Sequence, residues 1–253
     1  MVLRELIKQV ESPDRSDWIK QVGGWREEFP FTYDRDDPML LPQHVIETIY
    51  EMTGGDAVIT TEVGQHQMWA AHFYKYTKPR TFLSSGGLGT MGYGLPAAIG
   101  AQAGARDKIV VDIGGDGSSQ MNFQEVVVAV EHGLPVKIVI LNNGHLGMVR
   151  QWQEMFYNRE YSSSVLGPSG RGENERLIES EASLYLPDFV KLAEAHGALG
   201  LRVEDKGALK PTLERAFSEN GPAVVECVVK PEENVYPMVP PGASLMEMVQ
   251  SMA

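Results

Sequence analysis

Short apolar runs alternate with helical patterns along most of the chain. The clearest unit starts with a β-branched run at 109–113, which predicts a strand buried on both faces. A helical pattern follows and ends near Gly133, and a second buried strand is predicted over 136–141. The apolar face of the helix is predicted to consist of Phe123, Val126, Val127 and Val130. This strand–helix–strand unit predicts two neighbouring parallel strands.

The same alternation extends on both sides of this unit. Further strands are predicted at 57–61, 80–83, 199–203 and 223–229. Further helices are predicted from Pro42, over 93–103, from Pro187 and around 209–217. Two short helical patterns and an extended linker make up residues 1–40, and the polar stretch 162–181 is predicted to be a long loop. This order of elements predicts an α/β fold in which helices sandwich a parallel sheet.

Composition and net charge argue against several kinds of binding partner for this protein. The net charge of −12 argues against nucleic acid or an anionic membrane surface as a partner. No apolar run reaches the length of a membrane span, and the first residues lack the apolar run of a signal peptide. The lone cysteine, Cys227, lies in a strand-like run and is predicted to be a buried thiol. We therefore expect a cytoplasmic protein.

Candidate chemistry lies at the ends of the two central strands. Gly114, Gly115 and Gly117 predict a tight turn that holds Asp116, and Asn143 follows the second strand. Carboxylate and amide oxygens suit Mg²⁺ and leave most of its shell to water and phosphate oxygens. Glycines allow close backbone approach, and amides near a helix N-terminus attract phosphate. Each motif alone is typical of an ordinary turn, but together, on adjacent strand ends, they predict a metal–diphosphate site.

This Gly-Asp-Gly and Asn-Asn pairing resembles the motif of enzymes that use thiamin diphosphate (ThDP). The segments 63–71, 84–100 and 141–152 are similar to the catalytic subunit of acetohydroxyacid synthase (acetolactate synthase), and the resemblance covers roughly residues 40–245. It implies that 41–253 form the ThDP pyrophosphate-binding (PP) domain. Residues 1–40 would then be the linker or tail of a middle domain that is absent here, as is the N-terminal pyrimidine-binding domain.

The resemblance also implies roles for individual residues. The Mg²⁺ ligands would be Asp116, Asn143 and the main-chain carbonyl of His145. Met91 would be an apolar wedge that bends the cofactor, and Trp152 would face the substrate channel. The residues expected to bind the cofactor are Val63, Gly64, Gln65, His66, Gly89, Met91, Asp116, Gly117, Ser118, Asn143, His145, Leu146, Gly147, Met148 and Val149.

The reaction implied is decarboxylative condensation of pyruvate with pyruvate or 2-oxobutyrate, in valine, leucine and isoleucine biosynthesis. The glutamate that activates the cofactor would come from the N-terminal domain of a neighbouring subunit, and FAD is expected only in the full-length enzyme. We therefore expect this chain alone to bind Mg²⁺–ThDP weakly and to be inactive. The expected partners are 2-oxo acid substrates, the N-terminal and middle domains, a small regulatory subunit and further copies in a homodimer or tetramer.

Three alternatives stay open at this point. The chain could be the PP domain of another ThDP enzyme, of the pyruvate oxidase or glyoxylate carboligase type. A Rossmann-type nucleotide domain is disfavoured because the glycines lack the GxGxxG order after the first strand. A non-catalytic module that keeps the fold for binding or oligomerisation is the third.

Overall fold

The computed structural model describes residues 2–166, 186–240 and 242–250. The chain divides into two compact units, Met1–Tyr33 and Asp34–Ala253. The first unit contains helices α1 (Val2–Gln9) and α2 (Ser16–Glu28), neither of which has a buried residue. The assignment of 1–40 to the tail of a middle domain and of 41–253 to the PP domain stays a prediction.

The second unit is built on one parallel sheet. In the described residues the strands are β1 (Val58–Thr61), β2 (Phe82–Ser84), β3 (Val110–Gly115), β4 (Lys137–Asn142), β5 (Leu199–Val203) and β6 (Ala223–Val228). Their order across the sheet is β2-β1-β3-β4-β6-β5, and every neighbouring pair is parallel. All residues of β3 and β4 are buried, as expected for central strands covered by helices on both faces. The predicted α/β fold is confirmed.

Helices cover the sheet. Their bounds are α3 (Pro42–Thr53), α4 (Gln65–Phe73), α5 (Gly94–Gly104), α6 (Asp116–Ser119), α7 (Val126–Glu131), α8 (Gly147–Phe156), α9 (Phe189–Ala195) and α10 (Lys206–Ser218). Residues of α5, α7 and α9 pack with β3, β4 and β6 in one apolar core that includes Leu95, Phe189 and Val224. Within the described residues, no helix is long and apolar enough to cross a membrane.

Local chemistry explains where several helices begin and end. Pro42 occupies the first turn of α3, and Gly54 closes that helix with a left-handed φ of 57°. The side chain of Asp188 accepts from the main-chain N–H of Lys191, which starts α9 two residues later than the predicted position, Pro187. Side-chain capping therefore sets the first residue of α9.

Two further details differ from the sequence prediction. Gly114 and Gly115 are the last residues of β3, paired with Ile140 and Leu141, and not part of a turn. A Cβ at Gly114 would lie 2.3 Å from Ser119 Oγ, so glycine lets this strand run directly beneath α6. Val127 is 50 % exposed, because the first residues of that helix, Phe123–Glu125, form a 3₁₀ turn that changes which side chains face the core.

The predicted loop 162–181 lies largely outside the described residues. Its described part, 162–166, runs beside the loop that follows β4. The Leu146 N–H donates to the carbonyl of Ser164 at 2.8 Å, and the Leu166 N–H donates to that of Gly144 at 2.7 Å. These bonds hold in place the turn that follows Asn143.

Candidate functional site

A cavity of about 270 Å³ lies at the carboxyl ends of β1, β3 and β4. Its walls come from segments within 63–69, 89–91, 115–118 and 141–149. The chain turns from β1 towards β2 on one side and from β3 towards β4 on the other. Such a reversal leaves a crevice between the two strand ends, which is where open α/β sheets bind ligands.

The structure brings the residues predicted to bind cofactor together around this cavity. The lining includes Val63, Gly64, Gln65, His66, Gly89, Met91, Asp116, Gly117, Ser118, Asn143, His145, Leu146, Gly147, Met148 and Val149. Trp152 is not among the described lining residues, and it is 43 % exposed. The roles of all these residues stay predictions.

Further lining residues were not predicted. They are Gln67, Met68, Trp69, Gly115 and Leu141. Gly115 is one of the glycines of the predicted turn, and the other four lie in the segments 63–71 and 141–152 that carry the family resemblance. Trp69 was interpreted as a packing or subunit-contact residue, and it is both buried and part of the cavity wall.

Asp116 places a carboxylate in this cavity with one oxygen unsatisfied. Its Oδ1 accepts the main-chain N–H of Gly117 at 3.0 Å, while its buried Oδ2 has no hydrogen-bond partner in the described structure. Burial raises the pKa of Asp116 to about 7, opposed by the main-chain N–H groups of Gly117, Gly144 and His145. A buried carboxylate oxygen without a partner is costly, and a bound cation would satisfy it.

Asn143 is held by both atoms of its side-chain amide. Its Nδ2 donates to Gln65 Oε1 at 3.2 Å, and its Oδ1 accepts the main-chain N–H of His145 at 3.1 Å. The amide oxygen has a second lone pair for a metal. The His145 Nδ1 lies 2.9 Å from the main-chain oxygen of Asn143, so the imidazole is hydrogen-bonded to the main chain within the turn that contains it.

The donor set fits Mg²⁺ better than a transition metal. Among the described residues, no group of three or more His, Cys, Asp or Glu side chains could hold a metal ion. A carboxylate, an amide oxygen and a main-chain oxygen remain, all hard ligands of the kind Mg²⁺ takes together with water and phosphate.

The remainder of the cavity offers groups suited to a diphosphate. Helices α4 and α8 both begin at lining residues, Gln65 and Gly147, so the positive ends of their dipoles lie at the cavity. His66 is buried, with Nε2 3.4 Å from Ser118 Oγ. Burial lowers the pKa of His66 to about 3, opposed by a hydrogen bond with the main chain of Glu62, so the imidazole is neutral at pH 7 and carries a single N–H.

Two glycines make room for this imidazole. A Cβ at Gly115 would lie 2.7 Å from His66 Nδ1, and one at Gly64 would lie 2.8 Å from His66 Cε1. Alanine at either position would displace the ring from the cavity wall.

A carboxyl-terminal segment at 233–235 docks beside the site through side-chain amides. Gln151 accepts from the Val235 N–H at 2.9 Å and donates to the Val235 carbonyl at 3.0 Å. The Gln65 Nε2 donates to Gln151 Oε1 at 2.8 Å and to the Glu233 carbonyl at 3.0 Å. The side-chain amide of Gln65 is therefore engaged by protein groups and links Asn143 to this segment.

Known proteins match this chain over most of its length. The family model described as "Thiamine pyrophosphate enzyme, C-terminal TPP binding domain" matches residues 62–227. The acetolactate synthase large subunit of Corynebacterium glutamicum is 44% identical over 238 residues, which are 93% of this chain and 36% of that protein. The isozyme 3 large subunit of Escherichia coli is 42% identical, over 92% of this chain and 38% of that protein.

The catalytic subunit of the mitochondrial acetolactate synthase of Saccharomyces cerevisiae is 43% identical, over 93% of this chain and 32% of that protein. The chain thus spans about a third of the length of these curated relatives. The predicted resemblance to acetolactate synthase catalytic subunits is confirmed, and the chain belongs to the thiamine pyrophosphate enzymes, of which it carries the C-terminal TPP-binding domain.

Proposed function

We propose that this chain forms the Mg²⁺–ThDP half of an acetolactate synthase active site. The enzyme would condense pyruvate with pyruvate or 2-oxobutyrate, the step that leads to valine, leucine and isoleucine. The observation that carries the proposal is the unpaired carboxylate oxygen of Asp116, buried in a cavity that Asn143 and His145 also line. The names of the relatives support the choice of reaction.

Different residues of the chain would bind the metal ion and the diphosphate of the cofactor. Asp116, Asn143 and the main-chain oxygen of His145 would bind Mg²⁺. Ser118, neutral His66 and the helix N-termini would bind the diphosphate. When bound, ThDP supplies the nucleophilic carbon that attacks a 2-oxo acid and accepts the electrons left by decarboxylation.

Apolar residues would shape the remainder of the site. Met91 would support the bent cofactor, and Leu146, Met148 and Val149 would exclude water along it. Trp152 would face the substrate channel.

Other parts of the enzyme would complete catalysis. By resemblance, the activating glutamate comes from the N-terminal domain of a neighbouring subunit, and most FAD contacts come from the middle domain. We infer that the chain alone is inactive, and that it works with those domains, further copies of itself and a small regulatory subunit. A cytoplasmic location is supported by the single cysteine, Cys227, which is buried as a free thiol, while several relatives are named mitochondrial or chloroplastic.

Calorimetric titration of the chain with ThDP, with and without Mg²⁺, tests the cofactor site. We expect Mg²⁺-dependent binding that falls at least about tenfold in Asp116→Ala and in Asn143→Ala, because each removes a metal ligand. Asp107→Ala is a matched control, because this exposed aspartate lies near the opposite end of β3. Absence of Mg²⁺-dependent binding in the wild-type chain, or equal losses in Asp116→Ala and Asp107→Ala, would refute the proposal.

Reconstitution tests the reaction. Mixing the chain with a matching piece that carries the N-terminal and middle domains should yield acetolactate from pyruvate, whereas the chain alone should yield none. A product typical of a pyruvate oxidase or a glyoxylate carboligase would favour those enzymes instead. Failure to bind cofactor at all would favour the non-catalytic module.

A further inference from the structure

The main chain of Gly92, the residue after Met91, is held on both sides of its Cα. The Gly92 N–H donates to Glu62 Oε2 at 2.6 Å, and the Gly92 carbonyl accepts from Asn122 Nδ2 at 2.6 Å. Gly92 has φ +88°, and a Cβ there would lie 2.7 Å from Asn122 Nδ2. The main chain beside Met91 therefore has two side-chain anchors, and its conformation at Gly92 is one that residues with a Cβ rarely adopt.

Glu62 joins two walls of the cavity. It follows β1 directly and precedes the lining residues Val63 and Gly64. Its Oε1 accepts the Leu95 N–H at 3.1 Å. Burial raises the pKa of Glu62, and the main-chain N–H groups of Leu95, Gly92, Gly94 and Tyr93 oppose that shift. Tyr93 precedes α5 and Gly94 and Leu95 begin it, at the end of the helix where the first N–H groups have no partner within the helix. One carboxylate thus fixes the start of α5 relative to the end of β1.

A second buried acid lies beside this carboxylate. Asp112 on β3 accepts from Thr60 Oγ1 at 2.8 Å and is fully buried. Burial and the nearby charge of Glu62 raise the pKa of Asp112 well above its usual range. Glu62 has two main-chain N–H donors and Asp112 has one hydroxyl donor, so Glu62 is the better stabilised anion of the pair.

We propose that Glu62 is a positioning residue for the cofactor: together with Asn122 it fixes the Gly92 peptide and so holds Met91 against the organic part of ThDP. This inference rests on the proposed function. Glu62 does not line the cavity, so it would act through Met91 and not by touching the cofactor.

Two ligands that share this site should respond differently when Met91 is no longer held in place. Inorganic pyrophosphate with Mg²⁺ would use the groups around Asp116 and His66, and it lacks the organic part that Met91 is proposed to support. ThDP with Mg²⁺ would use the same groups and would also contact Met91. A variant in which Met91 is not held in position should therefore bind ThDP more weakly and bind pyrophosphate as well as the wild-type chain does.

Calorimetric titration of the whole chain with each ligand, in Mg²⁺, measures this difference. For Glu62→Gln and for Met91→Ala we expect ThDP affinity to fall about tenfold and pyrophosphate affinity to stay within about twofold, since one contact surface is lost. The double variant should lose no more than the larger single loss, because both substitutions remove the same contact. Glu131→Gln, an exposed glutamate at the end of α7, is the control and should change neither affinity.

Asn122→Ala provides an independent variant if Glu62→Gln does not fold, as judged by urea unfolding. It removes only the bond to the Gly92 carbonyl, and we expect about threefold weaker ThDP binding with pyrophosphate binding retained. Equal losses for ThDP and pyrophosphate would mean that Glu62 only stabilises the fold and would overturn the inference. So would a normal ThDP affinity in Glu62→Gln, or in Met91→Ala. If the wild-type chain bound neither ligand, the proposed function itself would fail.

Discussion

The two ends of the parallel sheet use opposite backbone chemistry. At the carboxyl ends the chain enters helices, so their N–H groups converge, and acidic side chains accept them: Glu62 accepts from Gly92 and Leu95. At the amino ends the chain leaves helices, so carbonyl groups converge, and donors meet them: the Lys137 Nζ bonds the carbonyls of Glu219 and Gly221. The direction of the strands thus decides which charge each end can hold.

Cavity size does not distinguish the two ends. The cavity at the carboxyl ends measures about 270 Å³, and the one lined by Gln102, Lys108 and Lys137 at the amino ends measures about 220 Å³. Gln102 Oε1 lacks a partner in the described structure, as Asp116 Oδ2 does, but Gln102 is neutral. An unpaired carboxylate oxygen attracts a cation far more strongly than an amide oxygen, so the two ends differ in charge and not in volume.

Gly94→Ala, at the carboxyl end of the sheet, should cause the largest loss of stability. The added Cβ would lie 2.4 Å from Asp112 Oδ1 and 2.5 Å from the main-chain nitrogen of Glu62. We expect the free energy of unfolding, measured in urea, to fall by about 3 kcal/mol or more. Gly100→Ala on the same helix meets nothing within 4 Å and should be stabilising by about 0.5–1 kcal/mol. Equal effects of the two substitutions would disprove the tight packing at this strand end.

Gln151→Ala should have the next largest effect at the same end. The side chain is fully buried, and its loss leaves the N–H and carbonyl of Val235 without their partner. We expect the free energy of unfolding to fall by about 2 kcal/mol. Gln124→Ala, an exposed glutamine, should stay within about 0.5 kcal/mol of wild type. A loss no larger than that of the control would show that the segment 233–235 is not held by this side chain.

Lys137→Met probes the amino end and should have the smallest effect. Burial lowers the pKa of Lys137 from 10.5 to about 8. Between these pH values the unfolded chain holds the proton that the folded chain has released, so wild-type stability should rise with pH across this window. The rise should be about 1 kcal/mol after allowance for solvent screening, and it should vanish in Lys137→Met when urea unfolding is repeated from pH 7 to 10.5. Parallel pH profiles for the two proteins would contradict this assignment.

Patterns within a single segment were enough for the strands and for placing Asp116 and Asn143 at the ends of two of them. The apolar, β-branched runs that became β3 and β4 favoured buried strands of a parallel sheet, and Asp116 and Asn143 follow them directly. The prediction that Val127 faces the core was wrong because a 3₁₀ turn precedes its helix. Neither helix propensity nor apolar periodicity indicates such a turn. The start of α9 differed by two residues because a side-chain cap decides it.

The contacts that assemble the walls of the site join residues far apart in sequence. Glu62 meets Gly92 across 30 positions, and Gln65 meets Asn143 across 78. No periodicity links such pairs, because they meet only after the sheet has brought separate loops to one edge. Glu62 in particular gave no signal in the sequence beyond its place after β1.

By itself, the sequence determined the parallel α/β fold, the family and most of the residues that face the cavity, because strand burial and short motifs are local properties of the chain. Only the tertiary structure decided which side chains hold those residues in place, that Asp116 keeps an unpaired oxygen, and that His66 is neutral. These properties depend on burial and on hydrogen-bond partners from distant segments, and neither exists until the chain has folded.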